Sequence, residues 1–165
     1  MSKINQTGLL ENAKIEEKNC NWSNAVELYE QIAKNYVDKR ILDDAANLYN
    51  EIGELCFRAL MASKTRDEYL NWIKHTIEVY HIAEDLFKQI DNELLSLECK
   101  AKALFINGWA VTSVEEGRSA LKDSINICLD LNKRYANRKD KNDLINSKVL
   151  ILRSMFPLLA LCKEP

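Results

Sequence analysis

The chain has 165 residues, enough for one domain with a substantial core, and 47% of them are hydrophobic while 29% are charged. It contains only 4 glycines and 2 prolines, so it lacks the frequent turn signals that a protein built from short strands requires. The formal net charge of −2 argues against a general nucleic-acid binder, which is usually far more basic, and we expect no nucleic-acid partner.

Apolar residues recur at helical spacing along the chain, and no segment shows the strict alternation of a half-buried strand. The clearest stretch, residues 41–60, carries an apolar stripe wide enough to contact two neighbouring helices. Breaks in the spacing divide the sequence into seven predicted helices: 7–20, 24–37, 41–60, 65–90, 93–111, one that opens at 113 and ends in the basic cluster 133–141, and 142–156.

Three helix starts carry a capping pattern, in which Ser, Thr or Asn is followed three residues later by Glu. The pairs are Asn24 with Glu27, Thr65 with Glu68, and Ser113 with Glu116. Short turns favour antiparallel neighbours, so we expect hairpins of the first helix with the second, the third with the fourth and the fifth with the sixth. The seventh helix is left without a partner.

A weak repeat runs through these helices: a small residue, an aromatic residue four positions later, and a second small residue three or four positions after that. The sets are Ala25–Tyr29–Ala33, Ala45–Tyr49–Gly53, Thr76–Tyr80–Ala83 and Ala101–Phe105–Gly108. Residues four apart share a helix face, so a small residue beside an aromatic one lets the next helix pack closely.

Residues 21–53 carry the pattern most fully. The segment NWSNAVELYEQIAKNY is similar to the second helix of a tetratricopeptide repeat, and AANLYNEIG is similar to the first helix of the next repeat. The chain also resembles, more loosely, the longer-helix SNAP-type vesicle adaptors. The resemblance implies a right-handed solenoid of helical hairpins, one domain over residues 1–165, that binds proteins along its concave side. The alternative all-α fold is an irregular up-and-down bundle.

In the solenoid the odd-numbered helices line the concave side, so polar residues of the third and fifth helices are candidates for binding another protein or peptide. Two apolar residues near the C-terminal end join them. The full set is Asn47, Asn50, Glu54, Arg58, Lys100, Lys102, Asn107, Phe156 and Leu159.

The stretch 144–162 is apolar on nearly all sides, whereas a solenoid normally closes with a polar-faced helix. Its spacing predicts Ile145, Val149, Leu152 and Phe156 on the inner side. Three explanations are open: deep packing within its own domain, docking onto a partner or a second copy as a homodimer, or a fragment whose next helix is missing.

Motifs of catalysis and metal binding are sparse. There is no GxSxG, no GxxxxGK[ST] and no HExxH, so we expect no enzyme. Glu78 and His81 form one ExxH, but the second ExxH of a di-iron bundle is absent, and we expect no metal or other cofactor.

The basic cluster 133–141 either binds an anion or complements the negative end of the sixth helix. The alternative function is an all-α bundle that binds a metal or small ligand in its core.

The 5 cysteines are far apart and form no CxxC pair, and the first residues lack the apolar core of a signal peptide. We therefore expect reduced thiols in a cytoplasmic protein. The apolar run 149–162 is too short to span a membrane and contains Pro157. Together these features predict a protein–protein interaction adaptor or docking module of a larger signalling or trafficking assembly.

Overall fold

The computed structural model describes residues 3–110, 113–138, 145–146 and 148–155, and every secondary-structure element in these ranges is helical. Residues 145, 146 and 148–155 belong to a seventh helical segment. The all-α prediction is therefore confirmed for the described residues. The other helices are α1 (Lys3–Lys18), α2 (Trp22–Asp38), α3 (Leu42–Ala62), α4 (Arg66–Gln89), α5 (Glu93–Ala110) and α6 (Val114–Arg138).

The chain forms two compact units, Met1–Asp91 and Asn92–Pro165. In the first unit α1 packs on α2, α2 on α3 and α3 on α4, and in the second unit α5 packs on α6. All three expected hairpins are therefore present as packed helix pairs. The right-handed solenoid, the alternative bundle and the single domain over residues 1–165 stay predictions.

The small and aromatic residues of the repeat pattern are all buried. Two glycines show why small residues are needed there. A Cβ atom on Gly53 would overlap with the Tyr80 ring, and one on Gly108 would lie 2.6 Å from Leu121 Cγ. The absence of a side chain at these positions lets α4 approach α3 and α6 approach α5, as the pattern predicts.

The start of α4 has the predicted capping box. The Glu68 N–H donates to Thr65 Oγ1 at 3.2 Å, and the Thr65 N–H donates to Glu68 Oε2 at 3.3 Å. At the start of α6 the Glu116 N–H donates to Ser113 Oγ at 3.4 Å.

The predicted capping pair of Asn24 and Glu27 is wrong. Helix α2 already begins at Trp22, after Asn21, so Asn24 lies inside the first turn. Its Nδ2 atom faces Glu16 Oε2 at 3.4 Å and caps no helix. The contact with α1 competes with the local capping role that an Asn otherwise favours.

Three helices end without glycine. The turn after each of α1, α2 and α4 contains one residue with a left-handed backbone. These residues are Cys20, Arg40 and Asp91, with φ of 58°, 57° and 55°. At the end of α1 the Cys20 N–H donates to the Glu17 carbonyl, and at the end of α2 the Arg40 N–H donates to the Val37 carbonyl. These bonds satisfy carbonyl groups that the last helical turn leaves open.

In the second unit α5 and α6 run antiparallel, because Gly108 near the end of α5 meets Leu121 near the start of α6, while Arg134 contacts Glu93 at 2.8 Å. Leu94, Leu131 and Tyr135 form a buried cluster between them.

Four of the cysteines lie in the described part of the chain, and all four are free thiols. Cys20 is exposed, whereas Cys56, Cys99 and Cys128 are buried. Burial raises the pKa of Cys128 to about 12, so this thiol stays protonated at neutral pH. Unpaired, packed thiols of this kind are common in proteins from reducing compartments.

Candidate functional site

A depression of about 290 Å³ opens on the first unit where α1, α2 and α3 meet. Two of the predicted partner-binding residues, Glu54 and Arg58, line it. The other lining residues were not predicted as site residues. The complete lining is Glu17, Tyr29, Glu51, Glu54, Leu55 and Arg58.

Glu17, on the last turn of α1, is held by two hydrogen bonds from other helices. The Tyr29 hydroxyl of α2 donates to Oε2 at 3.2 Å, and Arg58 of α3 contacts Oε1 at 3.1 Å. The Arg58 side chain remains 57% exposed. One carboxylate thus joins three helices at one side of the depression.

Glu54 is held by a hydrogen bond from α4. The Tyr80 hydroxyl of α4 donates to Glu54 Oε1 at 3.1 Å. The ring reaches across α3 because Gly53 leaves space for it. Two of the three lining carboxylates therefore accept a bond from a buried tyrosine, which limits the rotamers they can adopt.

The depression is acidic. Three carboxylates, Glu17, Glu51 and Glu54, line it together with one guanidinium, Arg58, which leaves a net charge of −2 when all four are ionised. Burial, followed by the negative charge of Glu17, raises the pKa of Tyr29 to about 12. Glu51 is exposed and makes no hydrogen bond or ion pair with another described residue. Its carboxylate is available to a ligand.

The chain matches no family model, no curated protein and no solved structure.

The remaining candidates on α3 lie on the same helical face. Asn47 is exposed and its Nδ2 donates to the Asp43 carbonyl at 2.9 Å, and Asn50 is half-buried. Glu51 lies on this face between Asn47 and Glu54, so helical spacing alone could have found it. No comparable signal marked Glu17, because its place beside Arg58 depends on how α1 packs.

The candidates on α5 belong to the second unit and differ from one another. Lys100 is exposed and Asn107 is half-buried. Lys102 is paired with the buried Glu98 at 2.9 Å, and its side chain is only 14% exposed. The positive charge of Lys102 compensates the buried Glu98 carboxylate, so Lys102 has a structural role that the sequence pattern did not show.

The predicted inner face of the last helix is wrong in the described part of the segment. Ile145 and Leu152 are 58% and 57% exposed, and Val149 is exposed as well. The buried residues are Leu150 and Ser154. Ser154 Oγ donates to the Leu150 carbonyl at 3.0 Å and lies 3.2 Å from Ser124 Oγ of α6.

The two apolar partner candidates, Phe156 and Leu159, lie outside the described residues. Self-association through the C-terminal helix stays a prediction. None of the helices in the described ranges has the length and apolarity needed to cross a lipid bilayer.

The two residues of the ExxH motif, Glu78 and His81, each lie beside a different side chain. His81 Nδ1 faces Glu84 at 3.1 Å, while Glu78 lies beside Lys74 at 3.9 Å. Within the ranges that the structure describes, no group of three or more His, Cys, Asp or Glu side chains is placed to hold a metal ion.

The basic cluster is partly neutralised. Arg134 contacts both Glu93 and Asp130 at 2.8 Å. Lys133 is exposed, and residues 139–141 lie outside the described part. The contact of Arg134 with α5 supports the structural role of this end of α6.

Proposed function

We propose that this chain is a protein-binding module and that the depression between α1, α2 and α3 docks a basic segment of another protein. The observation that carries the proposal is that three carboxylates and only one guanidinium line this depression. A partner's Lys or Arg would form charge-assisted hydrogen bonds with such carboxylates. No bond-making chemistry is required of the site.

The volume of the depression and its apolar lining residue favour binding of a single side chain from a partner protein over binding of a small molecule. Its volume lies at or below the lower end of small-molecule sites, which are about 300–1,000 Å³. Leu55 is an apolar element of the lining, against which the aliphatic part of a Lys or Arg side chain packs well. Glu51 and Glu54 then receive the charged end.

We further propose that the helical pairs stack as in a tetratricopeptide-like solenoid. The sequential packing of α1 on α2, α2 on α3 and α3 on α4 supports this arrangement. So do side-chain links between helices two apart, such as Glu17 with Arg58. In this arrangement the depression lies along the concave side, and the module serves as the docking part of a larger signalling or trafficking assembly. The buried free thiols support a cytoplasmic setting.

The test is calorimetric titration of the whole chain with a capped tetra-arginine peptide at low salt, with tetra-glutamate as the comparison. We expect tetra-arginine alone to bind, with an affinity that falls as salt rises. Glu51→Lys should weaken binding about tenfold or more, which corresponds to about 1.4 kcal/mol.

Glu27→Lys is the matched control, since Glu27 is exposed on α2 but does not line the depression. It changes the net charge equally and should bind nearly as well as the wild type. Equal weakening by both substitutions would show general charge attraction and would overturn the docking site. Absence of tetra-arginine binding to the wild type would overturn the proposal directly.

A further inference from the structure

A second ion pair joins helices that are not consecutive in the first unit. His75 Nε2 of α4 lies 3.0 Å from Glu30 Oε1 of α2. Lys34, one turn further along α2, contacts the other carboxylate oxygen of Glu30 at 3.4 Å. Both members of the pair are partly buried, with 35% of the His75 side chain and 19% of the Glu30 side chain exposed. The pair is therefore screened less by solvent than a surface ion pair.

The surroundings of His75 favour its protonated form. Its hydrogen bond to Glu30 raises the pKa of the imidazole, partial burial opposes this rise, and the charge of Glu78 on α4 adds to it. The positive charge of Lys34 acts against the rise. The same hydrogen bond lowers the pKa of Glu30.

Helix α3 contributes no opposing charge to this pair. Two ionisable groups of α3 are affected by the charge of Glu30, the Tyr49 hydroxyl and the Cys56 thiol. Burial is the main cause that raises the pKa of each group, and the negative charge of Glu30 is the next. Both groups are therefore neutral near neutral pH. The rings of His75 and Trp72 also meet in an edge-to-face arrangement, with their centroids 5.9 Å apart.

This pair and the depression connect the same two hairpins. Glu30 belongs to the α1–α2 hairpin and His75 to the α3–α4 hairpin. The link between Glu17 and Arg58 joins α1 to α3 in the same way. The depression is lined by residues of α1 and α2, which belong to the first hairpin, and by residues of α3, which belongs to the second. A change in how the hairpins are held together therefore changes the spacing of its carboxylates.

We infer that the Glu30–His75 ion pair is a proton-dependent joint between the two hairpins, through which pH controls binding in the depression. The statement about binding rests on the proposed function, whereas the joint itself does not. Protonated His75 holds α4 to α2 through an ion pair, and loss of the proton leaves a neutral imidazole beside the Glu30 carboxylate, so the attraction between two opposite charges is lost.

The direction of the pH effect follows from the two shifts. The pKa of His75 is raised in the folded chain, so its contribution is complete below the ordinary value of 6.5 and is lost as pH rises through the folded value. The pKa of Glu30 is lowered, so its contribution is complete above the ordinary value of 4.5 and is lost as pH falls through the folded value. The joint is strongest between these two ordinary values.

The joint is tested by NMR titration of the histidine rings, of which the chain has only 2. Glu30→Gln should lower the pKa of His75. Glu84→Gln removes the carboxylate beside His81 on the same helix and should leave the His75 titration unchanged. An identical His75 titration in Glu30→Gln and the wild type would overturn the joint.

A second measurement follows unfolding in urea from about pH 6 to about pH 8.5, where histidine titrates. The wild type should lose stability as pH rises, His75→Gln should lack this loss, and His81→Gln should keep it. If His75→Gln retains the wild-type slope, some other group is responsible and the joint is overturned.

Binding is then followed over the same pH range with the tetra-arginine peptide. The wild-type affinity should fall about fivefold or more, as is common for coupled sites, while His75→Gln should show no such fall. A wild-type affinity that does not change with pH would overturn the control of binding. Absence of binding at every pH would overturn the proposed function and the control of binding together, and the joint would still be decided by the NMR and unfolding measurements.

Discussion

The ring of Tyr80 occupies the space that a side chain at position 53 would need. A Cβ atom built on Gly53 would lie 2.7 Å from both Cδ1 and Cζ of that ring, well inside van der Waals contact. The same ring places its hydroxyl 3.1 Å from Glu54 Oε1, at the edge of the depression. The close packing of Tyr80 on α3 and the position of one site carboxylate therefore both depend on the absence of a side chain at position 53.

Gly53→Ala should destabilise the chain by about 1–3 kcal/mol, because the rigid, buried Tyr80 ring must shift to admit the methyl group. The measurement is urea unfolding followed by circular dichroism. Gly8→Ala is the matched control, since a Cβ on Gly8 in α1 meets nothing within 4 Å. It should be neutral or stabilising by up to about 1 kcal/mol. Equal destabilisation by both substitutions would contradict the steric explanation.

Thr65→Ala should destabilise the chain by about 1 kcal/mol, because the Glu68 N–H at the start of α4 loses its acceptor. Asn24→Ala removes a residue that the sequence pattern marks as a cap but that caps no helix, and it should change stability by less than about 0.5 kcal/mol. Thermal unfolding of the two variants side by side checks both values. A larger loss for Asn24→Ala than for Thr65→Ala would mean that the first turns of α2 and α4 are misassigned.

Leu150→Ala should cost about 2–4 kcal/mol, because this side chain is buried in the second unit. Leu152→Ala, two residues away and 57% exposed, should cost less than about 0.5 kcal/mol. Urea unfolding and hydrogen exchange of residues 148–155 provide the comparison. If Leu152→Ala is the more damaging substitution, then the face predicted from spacing is the buried one after all.

The sequence was sufficient for most of the helices, because their apolar residues follow one face and their starts carry local signals. Thr65 with Glu68 is such a signal, since the cap and its partner are only three residues apart. The same kind of signal misled at Asn24, because a contact with Glu16 of the preceding helix decides its role.

The side that the last helix buries could not be predicted, because its apolar residues surround it almost completely. The deciding contact is polar. Ser154 is fully buried against Ser124, whose hydroxyl donates to the Ala101 carbonyl at 2.8 Å. A search for apolar periodicity gives no weight to such a serine, although its hydrogen bonds make burial inexpensive.

The depression was predicted only in part, for a related reason. Glu54 and Arg58 lie on one helix, so their spacing could be interpreted from sequence. Glu17 lies 41 residues before Arg58 and meets it only through the packing of α1. Long-range pairing of this kind is determined by the arrangement of helices and leaves no local pattern.

The left-handed turns after α1, α2 and α4 imply that this chain is less stable than its own architecture permits. All four glycines lie within helices, while Cys20, Arg40 and Asp91 occupy the positions where glycine is most comfortable. Each non-glycine residue there costs roughly 1 kcal/mol. A more thermostable variant could therefore be made by placing glycine at these three turn positions alone. Every helix face available to a ligand would then keep its natural side chains.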